Sequence, residues 1–350
     1  MVMFEFSSAR SRWNSDKTVK LYVKYLNKKI MLKQVLTLCI VFSCLQVLAQ
    51  YPEAKISNGE IEARLYLPDT KAGFYRGTRF DWSGVIASLK YKGHEYFGEW
   101  YAKHDPKRHD AITGPVEAFD PLNYESVAPG ETFIKIGIGT VKKLNNSPYG
   151  FNAPFELVNT GTWKVGKKQD RIIFTHKLND GKGYSYIYTK TVRLIKGKPE
   201  LILEHNLKNT GQKSINTSVF NHNFFVIDNQ TTGSDFTVTL PFKIKNKPEG
   251  KKLMDFSDNK MTYLRDLKKG ESTMEYPTGY SGDKIEDYDF RIENKKTGAA
   301  VRITADRALS KFMYWSVSTT LSPEPFIKVD ADPGKEFNWA IKYQFYNTEK

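Results

Sequence analysis

The sequence predicts an all-β protein built as a single large antiparallel sandwich. Apolar and polar residues alternate with a period of two in stretch after stretch, the pattern of strands that bury one face. Turn signals separate these stretches at short intervals, among them Asn58-Gly59, Asp180-Gly181, Asn209-Thr210-Gly211, Lys296-Thr297-Gly298 and Asp332-Pro333-Gly334. No convincing helical periodicity follows residue 50. Many short strands joined by Gly, Pro and Asn turns argue a sandwich.

In chain order, Lys33 precedes an apolar run from Val35 to Leu45, and Val47-Leu48-Ala49 supplies small residues for a cleavage. This is the layout of a secretory signal peptide over residues 31–49, too short for a comfortable membrane span. Residues 1–30 then read as an extension from a start codon placed too early, with Met31 the initiator. The mature chain, residues 50–350, reads as one domain, periplasmic or secreted, with no membrane span. Cys44 loosely suggests a lipoprotein site, although Phe42 fits that pattern poorly. Both cysteines, Cys39 and Cys44, leave with the signal peptide, so the mature chain can form no disulfide.

The first 50 residues carry eight Lys/Arg and two Asp/Glu, so trimming lowers the net charge from +14 to +8. The remaining lysines are scattered singly and in pairs, which is a solvated surface and not a nucleic-acid stripe.

Among the strands, Phe133, Lys135 and Gly137 alternate with Ile134, Ile136 and Ile138, predicting one strand through Gly137. Leu201, Leu203, His205 and Leu207 share a face, as do Trp339, Ile341, Tyr343 and Phe345. His205 on its apolar face reads as structural, and His94 and His176 as surface residues. Two segments interrupt the rhythm. Residues 98–125 hold Trp100, Tyr101, His104, His109, Asp110 and Glu117, and residues 277–290 hold Tyr280, Asp283, Glu286 and Asp287. Polar, aromatic and acidic residues gathered in long loops point to a site.

The most informative stretch is Asn221-His222-Asn223, flanked by Val219-Phe220 and Phe224-Phe225. A packed strand has little reason to carry three hydrogen-bonding side chains in a row unless something polar is met there. Strand alternation puts His222 with Phe220 and Phe224, and turns Asn221 and Asn223 the other way. His104 and His109 lack a metal-ligand spacing and have Lys103, Lys107 and Arg108 beside them, so neither a metal nor any other cofactor is expected. There is no G-x-S-x-G, P-loop or G-x-G-x-x-G. Histidines, carboxylates and aromatics remain. Such side chains suit a mono- or oligosaccharide, with polar groups for its hydroxyls and rings such as Trp82, Trp100, Tyr101 and Trp315 for its C–H faces.

At these residues the sequence resembles the aldose 1-epimerases, or galactose mutarotases. Phe220-Asn221-His222-Asn223-Phe224-Phe225 is similar to the family's Asn-His-x-Tyr/Phe-Phe strand. Gly84-Val85-Ile86-Ala87-Ser88-Leu89, Asp287-x-x-Phe290, Pro323-Glu324-Pro325 and Asp332-Pro333-Gly334 with Tyr343-Gln344-Phe345 follow in the family's order. The resemblance spans residues 75–346. It implies a galactose mutarotase-like β-supersandwich, with Glu324 as catalytic base and His222, as imidazolium, the acid. Arg79, His104, Glu117, Asp287 and Trp315 become the candidate substrate-binding residues, although the family's early Asn-Arg pair has no clear counterpart and Arg108 is as possible a match for its arginine as Arg79. An ionised Asp287 or Glu117 near His222 would favour its charge, and burial would oppose it. The chain departs from the family in lacking His-Gly and in carrying Glu324-Pro325-Phe326 where the family has Glu-x-Gln. A divergent exported subgroup, with Gly114-Pro115-Val116-Glu117 in the site loop, is the expectation. Three functions stay open at this stage: a mutarotase-like isomerase, a non-catalytic carbohydrate-binding protein, and a relative of polysaccharide lyases or hydrolases.

Overall fold

A computed structural model describes residues 24–29, 51–249 and 252–348. The expected signal peptide with its two cysteines lies outside the described residues, as does the expected extension apart from a helical stretch at 24–29. Tyr51–Lys350 form one compact unit. Among the described residues of this unit every strand pairing is antiparallel, and the helical pieces are three short 3-10 turns. No helix among the described residues is long and apolar enough to cross a membrane.

Two sheets form the sandwich. The larger has ten strands, and its centre is the Ala299–Ala305, Glu336–Asn347, Glu200–Asn209 and Ser185–Leu194 strands. The smaller has five, in the order Ser272–Glu275, Lys311–Val317, Thr320–Ala331, Ile215–His222 and Val116–Phe119. The alternation read from the sequence gives the large sheet its inner face: Leu201, Leu203 and Leu207 are buried, and opposite them Trp339, Ile341, Tyr343 and Phe345 are buried too. The five-stranded sheet meets this face. Phe119 packs edge-on against Tyr188, and Phe290 stacks on Phe312 with centroids 4.7 Å apart. Removing these rings from water is the main favourable term holding the layers together.

Three expectations change. The strand expected through Gly137 ends at Lys135, and the chain turns before re-pairing at Gly139–Lys142. Gly137 takes φ +76°, and a Cβ there would lie 2.4 Å from an Asp81 carboxylate oxygen, so a close approach dictates glycine. His176 is fully buried and not a surface residue, because Trp163 of the neighbouring strand stacks flat on it at 4.3 Å. The 98–125 segment is not all loop, since Val116–Phe119 adds the fifth strand of the smaller sheet.

Candidate active site

The site grows from the Ile215–His222 strand, which lies between Val116–Phe119 and Thr320–Ala331. Alternation turns Val219 and Asn221 toward the large sheet and presents Phe220 and His222 on the opposite, outer face. The strand stops after His222 because side chains take over the ladder. The Asn223 N–H donates to Ser322 Oγ at 2.9 Å, and Asn223 Nδ2 donates to the Pro323 carbonyl at 2.7 Å. Phe224 then adopts φ +43°, a left-handed conformation that a bulky residue rarely takes. Its ring lies flat on His222, with centroids 3.6 Å apart. Behind the strand, the amide oxygens of Asn221 and Asn223 both converge on the Tyr343 hydroxyl, at 2.7 and 2.8 Å. The three polar residues are therefore met, two by the core and one by the cleft.

Both imidazole nitrogens have partners on the Thr320–Ala331 strand. Nδ1 is 2.9 Å from Ser322 Oγ, and Nε2 is 3.1 Å from Glu324 Oε1. Ser322 and Glu324 are two residues apart and so share a face, which lets one strand hold both ends of one ring. Trp315 and Phe80 stand edge-on to the imidazole, each 5.5 Å away. These rings bury the imidazole and leave His222 and Glu324 each 3% exposed. Burial pushes the Glu324 carboxyl up to about 8, against the pull of Arg79 and Lys311. Burial also holds His222 well below the ordinary imidazole value, and the Arg79 guanidinium adds to this. Opposing shifts of this kind are found in acid–base pairs.

The cleft above the pair encloses about 890 Å³, counting its open mouth. Arg79 and Trp315, both read from the sequence, line it with His222 and Glu324. Arg79 is fixed by Asp110 at 2.5 Å, and Asp110 also meets His109 Nε2 at 2.7 Å. Sequence reasoning did not assign Ser322, Phe151, Met274, Tyr276, Lys311 or Phe326 to the site. A usable signal existed for two of them, because Ser322, Glu324 and Phe326 recur at a spacing of two.

Three of the residues read as substrate-binding lie elsewhere. Glu117 sits directly opposite Asn221 in the strand pairing, so the pleat turns it into the core, away from His222. There it binds Lys190, His205 Nε2 at 3.0 Å and Asn221 Nδ2 at 3.0 Å. Burial alone would raise the Glu117 carboxyl, but Lys190 and His205 hold it at about 2. His205 has a structural place here, stacked on Trp339 at 4.4 Å. Asp287 is half-buried and closes a local turn by accepting the Ser281 N–H and hydroxyl at 2.5 and 2.6 Å. His104 stacks on Phe74 at 4.1 Å and meets the Tyr51 hydroxyl at 3.0 Å, outside the lining of the cleft. Trp82 is likewise buried in the core, not part of a sugar platform. With neither Asp287 nor Glu117 in contact with His222, burial decides its charge.

No protein-family model matches the chain, and no curated protein matches it in sequence. Solved structures match it in fold. A galactose mutarotase related enzyme from Lactobacillus acidophilus is 15% identical with a TM-score of 0.52, the match covering 85% of this chain and 98% of that one. A galactose mutarotase-like protein from Clostridium acetobutylicum is 13% identical with a TM-score of 0.52, covering 84% and 95%. A protein from Synechocystis is 12% identical with a TM-score of 0.53, covering 85% and 97%. The chain has the galactose mutarotase-like β-sandwich fold.

Proposed function

We propose that the cleft binds a sugar and interconverts its anomers by acid–base ring opening. The observation that carries this reading is the His222–Glu324 pair, 3.1 Å apart on the floor of a cleft open to solvent. Ring opening removes a proton from the anomeric hydroxyl and delivers one to the ring oxygen. Both oxygens are attached to the same carbon, so acid and base must converge on one point, as this pair does.

The shifts of the two groups favour an uncharged pair at neutral pH, with the dissociable proton on Glu324 and a neutral imidazole. This exchanges the roles that the family resemblance implies. Glu324 gives its proton to the ring oxygen as the bond from that oxygen to the anomeric carbon breaks. His222 takes the hydroxyl proton as the carbonyl forms. Closure on the other face of the aldehyde reverses both transfers, so no proton is consumed. Each positioned transfer contributes on the order of 10²–10⁴ in rate. Ser322 and Asn223 hold the ring in place, and Arg79 is positioned to bond a sugar hydroxyl. Glu324→Gln keeps the shape but removes the transferable proton. It should lower acceleration of anomer interconversion by at least about 10², followed by polarimetry; an unchanged rate would reject Glu324 as the acid.

A further inference from the structure

The cleft has an aromatic wall beside His222. Trp100 stacks on Phe224 at 5.3 Å and meets Trp315 edge-on, sealing the side next to His222. Away from this wall, Phe220, Phe326 and Lys311 align across three strands as a second row. This row lies two residues along from His222 and Glu324, a step of about 7 Å. Phe220 and Phe326 stack at 4.5 Å, giving the row an aromatic floor. Above it stand Phe151 on one side and Tyr276 on the other. Phe151 meets Phe220 edge-on, and Lys311 Nζ lies 4.9 Å from the Phe326 ring and 5.7 Å from that of Tyr276.

Exposure sets these two rings apart. Phe151 is 39% and Tyr276 37% exposed, and they are the two exposed aromatic rings among the described residues from Tyr51 onward. Met274, 46% exposed, joins them and accepts the Tyr276 hydroxyl proton at 3.0 Å. The other exposed large hydrophobic side chains among the described residues from Tyr51 onward, Leu144, Val158, Leu264 and Ile285, are aliphatic and do not line the cleft. Both exposed rings line one cleft, and so offer platforms for an amphipathic ligand.

We propose that the cleft takes the reducing end of an oligosaccharide rather than a lone monosaccharide. This rests on the reading that the cleft binds a sugar. The terminal unit lies over the His222–Glu324 row. The next unit lies over Phe220 and Phe326, between Phe151 and Tyr276, with Lys311 beside its hydroxyls. The rest of the chain leaves through the open mouth.

The test is titration calorimetry with glucose, cellobiose, maltose and lactose, all of which present a glucose unit at the reducing end. The wild-type protein is compared with Phe151→Ala and Tyr276→Ala, truncations of exposed rings. At least one disaccharide should bind tenfold or more tightly than glucose, and both variants should bring that ratio toward one. A ratio near one for every disaccharide, or a preference that neither variant reduces, would overturn the proposal. Polarimetry on the same samples separates it from the catalytic reading. Disaccharide preference without acceleration removes only the catalysis, and acceleration of glucose without disaccharide preference removes only the second subsite.

Discussion

His222 is gripped on every side: Ser322 at one nitrogen, Glu324 at the other, Phe224 flat against its face, and Phe80 and Trp315 at its edges. The burial around it also pushes its basicity down and the Glu324 carboxyl up, and these directions set the expected pH dependence. The proposed ring opening needs the proton on Glu324, so kcat/KM should fall as pH rises through about 8. The acid limb, set by His222, should lie well below the ordinary imidazole range. The same shift acts on stability. Glu324 has a folded-state value above its unfolded one, so the native state holds a proton that the unfolded chain releases. Its contribution is full below the ordinary carboxylate value and is lost as pH rises toward about 8. Glu324→Gln should therefore remove this fall in stability across that window while lowering activity, read by denaturant titration at several pH values. An unchanged slope would show that Glu324 is not the buried acid.

At the scale of elements, the Val116–Phe119 and Ile215–His222 strands divide the labour between their faces. The outer face carries the cleft, and the inner face carries Glu117 among Lys190, His205 and Asn221. Removing one partner of a buried charged pair leaves the other uncompensated, at about 3–5 kcal/mol. Glu117→Ala should lose about that much stability in chemical denaturation; a loss of sugar affinity with undiminished stability would return Glu117 to the cleft. This division shows what strand periodicity could and could not reveal. The alternation of Leu201, Leu203, His205 and Leu207 gave the buried face of the large sheet correctly; the polar run at 221–223 singled out His222, whereas Glu324 was pointed to by the family resemblance alone, and the fold brings the two side chains together. Glu117 was misplaced because its face depends on the partner register, Asn221 opposite Glu117, which no local pattern encodes. His176 reads as polar and exposed until Trp163 is brought beside it by the next strand. The turn at Gly137 is set by Asp81, more than fifty residues away.

For the whole molecule, the sandwich holds the His222–Glu324 pair on the five-stranded sheet, at the floor of a cleft open to solvent. The ten-stranded sheet buttresses it from behind through Tyr343. Export is proposed from the 31–49 segment, and N-terminal sequencing of the protein recovered outside the cytoplasm should begin at Gln50; a start at Met1 with cytoplasmic retention would refute processing. The central claim is that this cleft interconverts anomers through His222 and Glu324. Its most direct test is the polarimetric mutarotation of freshly dissolved α-glucose and α-galactose, with protein starting at Gln50 beside its His222→Ala variant. The account predicts acceleration of at least one sugar by the unaltered protein, falling to the spontaneous rate with His222→Ala. Equal rates with and without protein, or acceleration that survives His222→Ala, would contradict it.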